Sequence, residues 1–144
     1  MSPRPIALLT DFGHRDPFVG ICHGVIKRAD IAIPIIDITH GIPRHDVRSG
    51  ALAMADALPF MPEGTIFVGV VDPGVGSQRR ALCVEAADGT IFVGPDNGVL
   101  GPAIELSGGA KQTLDISASP WHLEPLSGTF HARDIFAPVA AQLA

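Results

Sequence analysis

Short, branched apolar segments alternate along this chain with helical patterns, and this alternation is compatible with few architectures. The predicted strands are Ile6–Thr10, Ile33–Ile38, Thr65–Val71, Ala81–Glu85, Thr90–Val93 and Gln112–Ile116, and the predicted helices are Phe18–Arg28, Asp46–Leu58, Asn97–Leu106 and Ala132–Leu143. Strands that alternate with helices favour an α/β fold with a mostly parallel central sheet and helices on both faces. One antiparallel hairpin is also expected, because Asp88-Gly89 separates two short apolar runs.

Composition limits the classes of partner that this chain can have. Its 144 residues are 47% hydrophobic, which is enough for one domain with a substantial core. The formal net charge is −5 and no basic stripe is present to neutralise phosphates, so nucleic acid is not an expected partner. The apolar run Ile6–Leu9 is too short for a signal peptide or a membrane span. We therefore expect a cytoplasmic protein that acts on a small molecule, away from membranes.

The two cysteines and the C-terminal segment each lead to one further expectation. Cys22 and Cys83 lie far apart and have no second cysteine at metal-ligand spacing, which predicts two buried, reduced thiols. The segment 136–144 stops inside an apolar helical pattern, with no glycine cap and no basic last turn. This ending is typical of a chain truncated within a helix.

Polar clusters follow the predicted strands. They are Thr10–Gly13 with His14 and Asp16 after the first strand, Asp37–His40 at the end of the second with His45 and Asp46 before the next helix, Asp72–Gly76 with Arg79 and Arg80 after the third, and Pro95–Gly98 after the hairpin. Ligands of open α/β sheets bind outside the carboxyl ends of the strands, so these clusters predict a pocket. Each one also has a purely structural explanation: Asp46 and Asp96 are good helix caps or turn formers, and Asp11 could simply end a strand.

Asp72 gives the strongest signal among these clusters. It follows a buried apolar strand directly, and a Pro-Gly-x-Gly turn and then a guanidinium come after it. A fifth cluster, Gly128–Asp134, leaves two interpretations open. Either His131 caps a helix whose first turns carry a solvated Arg133 and an acidic Asp134, or His131 points into the same pocket.

Other kinds of site are less well supported. The residues that a metal ion could use are His14, His40, His45, Asp11 and Asp46, and they lack a recognised ligand spacing. The turn after the first strand is not glycine-rich enough for a dinucleotide. Ser77 lacks the strand-to-helix elbow of a nucleophile, and Cys83 is placed in the middle of a strand. No resident metal or cofactor is therefore expected.

Five segments in order carry a resemblance to a known family: Leu9–Gly13, Ile38–His40, Val71–Gly76, Pro95–Gly98 and Thr129–Pro138. Together they resemble the S-adenosylmethionine hydroxide adenosyltransferases, the hydrolytic relatives of fluorinases and chlorinases. The similarity spans nearly the whole chain. It implies conversion of S-adenosylmethionine and water to adenosine and L-methionine, with halide transfer on the same scaffold and a non-catalytic nucleoside-binding fragment as alternatives.

The resemblance also implies roles for single residues. The water-handling triad would be Asp72, Arg79 and His131. The substrate-binding residues would be Asp11 at the ribose hydroxyls, Asp16 at the methionine ammonium group, Phe130 near the reacting centre, and Asn97. The halogenating relatives carry a tyrosine at the position of Asp72, so the hydrolytic branch fits better. One departure is Ala132, where the family usually has glycine.

Members of that family are considerably longer than this chain. Their smaller C-terminal β-barrel domain supplies the adenine pocket and contacts to the methionine end, and in the homotrimer it faces the N-terminal domain of a neighbouring subunit. The resemblance therefore implies that residues 1–144 are the N-terminal α/β catalytic domain without the β-barrel domain, and that the full-length protein is a homotrimer.

Overall fold

A six-stranded sheet organises the chain in the computed structural model, which describes residues 2–144. The strands are β1 (Ile6–Thr10), β2 (Ile35–Thr39), β3 (Ile66–Val70), β4 (Ala81–Ala86), β5 (Ile91–Pro95) and β6 (Ala110–Asp115). The helices are α1 (Phe18–Ala29), α2 (Val47–Ala57), α3 (Gly101–Leu106) and α4 (Ala137–Leu143), with a 3-10 turn at Leu58–Phe60 and a π-helical turn at Ala132–Phe136. The predicted α/β fold is confirmed.

The strand order is β2-β1-β3-β5-β4-β6. Parallel pairs join β1 to β2, β1 to β3 and β3 to β5, whereas β4 is antiparallel to both of its neighbours. The predicted Asp88-Gly89 hairpin is confirmed, and the antiparallel pairing of β6 with β4 adds a second such contact that the sequence did not predict. The carboxyl ends of β1, β2, β3 and β5 therefore share one edge of the sheet.

The sheet is covered on both faces because side chains alternate along each central strand. On one face, Ile6 and Leu8 pack in a core shared with helices α1 and α4. On the other face, Ala7 and Leu9 pack in a core that includes Met54 of α2 and residues of α3. β1 and β3 are buried along their whole length, which explains their uninterrupted apolar sequences.

The two cysteines lie in this interior and are not joined to each other, as predicted. Burial raises the pKa of the Cys22 thiol to about 12 and also raises the pKa of Cys83. Both thiols are therefore protonated and inert as nucleophiles at neutral pH. None of the helices within residues 2–144 has the length and hydrophobicity that a bilayer crossing needs.

One predicted helix boundary is wrong. The helix expected from Asn97 begins only at Gly101, because Asn97 and Gly98 form a turn instead. The Asn97 Oδ1 atom accepts a hydrogen bond from the Val99 N–H at 3.1 Å, and Gly98 has a φ of 94°, which helical residues do not adopt.

Candidate active site

A cavity of about 360 Å³ opens at the carboxyl edge of the sheet. It lies among the loop after β1, the approach to α2, the loop after β3 and the segment before the π-helical turn. Its lining residues are Asp11, Phe12, Asp16, Phe18, Arg44, His45, Val70, Asp72, Val75, Thr129, Phe130, His131 and Ala132. Five of the predicted site residues line the cavity, and they come from three separate clusters of the sequence: Asp11, Asp16, Asp72, Phe130 and His131.

Asp72, Arg79 and His131 form one hydrogen-bonded group. The Arg79 Nε atom donates to Asp72 Oδ1 at 3.0 Å, and its Nη2 atom donates to Asp72 Oδ2 at 2.5 Å. The same Nη2 atom donates to His131 Nδ1 at 2.7 Å. The side chains of Asp72 and Arg79 are only 5% and 11% exposed. Asp72 and His131 line the cavity, whereas Arg79 is not among the lining residues and joins the other two through its guanidinium.

These contacts fix the protonation state of His131. Since Nδ1 accepts a hydrogen bond from a guanidinium, the neutral ring carries its proton on Nε2. Burial, followed by the positive charge of Arg79, lowers the pKa of His131 below its ordinary value, although a backbone hydrogen bond with Ser127 and the charge of Asp72 act in the opposite direction. The imidazole is therefore neutral at pH 7 and carries its N–H at Nε2.

The local fold holds the Asp72 loop against the His131 segment. Gly76 has a φ of 77°, and a Cβ atom there would lie 2.2 Å from the Gly128 carbonyl oxygen. Only glycine permits both the left-handed conformation and this close backbone approach. The two loops that carry the group therefore pack directly on each other at Gly76.

His131 stands at the start of the π-helical turn, where it makes no capping hydrogen bond. Asp134 is 1% exposed and accepts hydrogen bonds from the Ser127 N–H and from Arg133, so it anchors the segment that precedes His131. The sequence left open whether His131 caps a helix or points into the pocket, and in the structure it lines the pocket. Single π-helical turns are frequent at functional sites.

The more exposed part of the cavity lining consists of Asp11, Asp16, Arg44 and His45. The His45 backbone N–H donates to Asp11 Oδ2 at 2.8 Å, and His45 has a φ of 65°, an unusual value for a residue other than glycine. Arg44 lines the cavity although its place there was not predicted from the sequence. His45 belongs to the predicted clusters and to the possible metal ligands, but the backbone conformation that brings it to Asp11 has no sequence signature.

Three phenylalanines form an aromatic part of the lining. The rings of Phe12, Phe18 and Phe130 meet edge to face, with centroids 5.3–6.1 Å apart. Aromatic faces beside carboxylates suit a ligand that is positively charged and partly apolar. Phe130, which directly precedes His131 in the chain, thus packs on both of the other rings.

Some predicted residues lie elsewhere. Asn97 is not among the lining residues: its Nδ2 atom donates to the Val71 carbonyl oxygen at 2.7 Å and so supports the end of β3. Its part in substrate binding stays a prediction. Asp96 pairs with Arg80 outside the cavity.

The set of residues considered for a metal ion is not assembled as such. Asp46 caps α2 by accepting a hydrogen bond from the Ser49 N–H at 3.0 Å, as its alternative explanation predicted. Asp11 and His45 meet through a backbone hydrogen bond in the cavity wall. His14 packs edge to face on His40, with ring centroids 5.5 Å apart.

Comparisons with known proteins identify the family to which this chain is similar. Residues 6–144 match the family described as the SAM hydroxide adenosyltransferase N-terminal domain. The (R)-S-adenosyl-L-methionine hydrolase of Salinispora tropica is 47% identical over 145 residues, covering 100% of this chain and 55% of the relative. The enzyme of the same name from Salinispora arenicola is 45% identical, with the same coverage.

A solved structure is also similar. The crystal structure of an uncharacterized conserved protein from Thermotoga maritima has a TM-score of 0.91 and 40% identity, covering 96% of this chain and 53% of that protein. The chain thus spans about half the length of the curated relatives and of the structure that it matches.

Proposed function

Because the chain belongs to the SAM hydroxide adenosyltransferase family, matching its N-terminal domain, we propose that it hydrolyses S-adenosylmethionine to adenosine and L-methionine. The observation that carries this proposal is the meeting of Asp72, Arg79 and His131, with the first and last of them in the wall of one cavity. The names of the curated relatives support the same reaction.

The charges around the cavity suit this substrate. S-adenosylmethionine carries a sulfonium and an ammonium group, and Asp11, Asp16 and Asp72 supply a negative field for both. Asp11 is the candidate partner of the ribose hydroxyls and Asp16 that of the ammonium group. The aromatic rings around Phe130 would contact the sulfonium end, where a cation gains from a π-face.

The proposed reaction is an in-line displacement. The water oxygen forms a bond to the ribose 5′ carbon while the bond between that carbon and sulfur breaks. The electron pair passes to sulfur, which leaves as the neutral thioether of methionine, and the protein takes a proton from the water. No general acid is needed at the leaving group, so the protein's task is to hold the water in line and to accept that proton.

The hydrogen bonds suggest how the task is divided. His131 offers an N–H at Nε2, which suits it to orient the water oxygen, and the Asp72 carboxylate is then the candidate proton acceptor. A weak base suffices, because the attacking oxygen becomes strongly acidic as its bond to carbon forms. Arg79 acts as a positioning residue: its guanidinium holds Asp72 and keeps His131 in the required tautomer.

The test is hydrolysis by the full chain in water enriched in ¹⁸O, with products separated by liquid chromatography and mass spectrometry. The proposal expects adenosine with ¹⁸O at the 5′ position and an equal amount of methionine. Asp72→Asn and His131→Gln should each lower kcat by about 10²- to 10⁴-fold, normalised to the folded fraction. Asp88→Asn, the same change in the hairpin turn at Asp88-Gly89, is the matched control and should keep wild-type turnover.

Three outcomes would contradict the proposal. Unlabelled adenosine would exclude attack by water at the 5′ carbon. Formation of 5′-chloro-5′-deoxyadenosine in chloride would point to halide transfer. Adenosine binding in calorimetry with no turnover would identify a nucleoside-binding domain. The homotrimer and the cytoplasmic location stay predictions, which light scattering and cell fractionation would test.

A further inference from the structure

A second cluster of ionisable side chains lies outside the cavity lining, on the flank of the edge strand β2. His23 comes from helix α1, Asp37 from β2, and His40 follows β2 directly. The His40 Nε2 atom lies 2.7 Å from Asp37 Oδ1, and the His23 Nε2 atom lies 3.0 Å from the same oxygen. One donor atom from each residue falls within 4.8 Å of the other two.

Two imidazole nitrogens and one carboxylate oxygen are a donor set of zinc and similar divalent transition metals. With zinc–ligand bonds of about 2.0–2.1 Å, tetrahedral donors stand roughly 3.3 Å apart. The separations of 3.0 and 2.7 Å from Asp37 Oδ1 are shorter than this by about 0.3 and 0.6 Å, and the donor atoms of the two histidines lie within 4.8 Å of each other, so small side-chain movements would admit an ion. We propose that His23, Asp37 and His40 bind a divalent ion of the zinc class.

The exposure of the three side chains fits an ion bound at the surface with water completing its coordination. His40 is fully buried, whereas the side chains of His23 and Asp37 are 32% and 40% exposed. Burial opposes ionisation of Asp37, but hydrogen bonds from the two histidines outweigh it and hold the pKa of its carboxyl below the usual value. The carboxylate is therefore charged and available as a ligand at neutral pH.

A buried hydroxyl supports the ring of His40. The Thr10 Oγ1 atom lies 2.7 Å from His40 Nδ1, and Thr10 is fully buried. A hydroxyl can donate or accept, so Thr10 can donate to Nδ1 when Nε2–H binds Asp37, or accept from Nδ1–H when Nε2 binds a metal. Such outer partners fix the tautomer of metal-binding histidines. Thr10 thus makes both states of His40 accessible.

The site is linked to the cavity through the backbone. The His40 carbonyl oxygen accepts a hydrogen bond from the Gly13 N–H at 2.7 Å, and Thr10 immediately precedes Asp11. A bound ion would tie α1 and β2 to the loop that carries Asp11 and Asp16. Zinc should therefore raise the unfolding temperature, since the three ligands come together in the folded state.

The test is calorimetric titration of the metal-free full chain with zinc chloride, repeated with Co²⁺ to record the visible bands of tetrahedral cobalt. We expect one ion per chain. His23→Ala and Asp37→Asn should each weaken binding by at least about 100-fold, and the isosteric Thr10→Val by about 10- to 100-fold. His23 and Asp37 are partly exposed, so their replacement should leave the fold intact.

Two histidine variants serve as controls. His122→Gln changes a ring that contacts the Ile116 carbonyl oxygen elsewhere, and His131→Gln removes the histidine of the cavity. Both should bind zinc like the wild type. The proposal is overturned if the wild type shows no saturable binding, if His23→Ala binds equally well, or if His131→Gln abolishes binding. It does not rest on the proposed hydrolysis, because its readout is metal affinity.

Discussion

Two arginines that are neighbours in sequence hold two aspartates at the same edge of the sheet, in very different surroundings. Arg79 pairs with Asp72, and their side chains are 11% and 5% exposed. Arg80 pairs with Asp96, and their side chains are 61% and 39% exposed. Each guanidinium donates two hydrogen bonds to the carboxylate of its partner. The two ion pairs therefore consist of the same groups and differ in how deeply they are buried.

The difference in burial changes what each ion pair contributes to stability. Exposed ion pairs contribute about 0–1 kcal/mol, and removing them changes little. A buried ion pair has little net stabilising effect, because the cost of desolvating the two charges offsets their attraction. Removing one partner is nevertheless strongly destabilising, because the other charge is left buried and uncompensated. The Asp72–Arg79 pair is therefore weakly explained by stability alone. The proposed function would account for the pair, because Arg79 also contacts His131 in the cavity wall.

The largest expected contrast is in stability. Asp72→Asn should lower the free energy of unfolding by about 3–5 kcal/mol, because it leaves the Arg79 guanidinium buried without its counter-charge. Asp96→Asn makes the same change in the exposed pair and should lower it by about 0–1 kcal/mol. Urea unfolding followed by circular dichroism measures both. Equal losses would show that burial does not set the difference.

The next contrast concerns the glycine that joins the two loops. Gly76→Ala should destabilise the protein more than Gly89→Ala, although both glycines have a positive φ. The hairpin glycine has open space around it, so alanine there should cost only the left-handed strain of about 1–2 kcal/mol. At Gly76 the new methyl group would also collide with the Gly128 carbonyl oxygen.

Unfolding curves compare these two variants, and the NMR signals of His131 report whether its segment has moved. We expect the signals to shift in Gly76→Ala and to stay in place in Gly89→Ala. A Gly76→Ala protein as stable as Gly89→Ala, with unchanged His131 signals, would mean that the Asp72 loop does not position this histidine.

Much of the sheet could be predicted because its signals are local. Branched apolar runs identified every strand to within two residues at each end, and Asp88-Gly89 identified the hairpin. The late start of α3 could not be predicted, because the turn at Asn97 depends on the Val71 carbonyl oxygen of another strand. The π-helical turn before α4 has no sequence signature either.

The candidate site divides in the same way. Asp72 was visible because a carboxylate directly after a buried strand is unusual. His131 lies 52 residues beyond Arg79, so only the fold, or a resemblance, could bring the two together. His23 gave no signal, because a histidine in the middle of a helix looks like any surface residue until β2 places Asp37 beside it.

A smaller contrast comes from pH, because the buried group contains an imidazole and the exposed pair does not. The folded state holds the pKa of His131 below its ordinary value of about 6.5, chiefly through burial and then through Arg79. The unfolded chain therefore binds a proton first as the pH falls. The free energy of unfolding is therefore not reduced by this group above about pH 6.5, and it declines below that pH, towards the folded pKa.

His131→Gln should remove that part of the pH dependence. Between pH 7.5 and pH 5.5, the free energy of unfolding should fall less in this variant than in the wild type. Parallel curves for the two proteins would show that His131 titrates as it does in an unfolded chain.

The smallest effect should be the response of the exposed pair to salt. A double-mutant cycle with Arg80→Gln and Asp96→Asn should give a coupling energy of about 1 kcal/mol or less at low ionic strength. Near 1 M salt the Debye length is about 3 Å, so the coupling should nearly vanish. A matching cycle with Arg79→Gln and Asp72→Asn should keep most of its coupling, because little solvent or salt reaches the buried pair. If both couplings fall together, solvent reaches Asp72 freely, and the cavity wall is not the preorganised surface that in-line attack by one water requires.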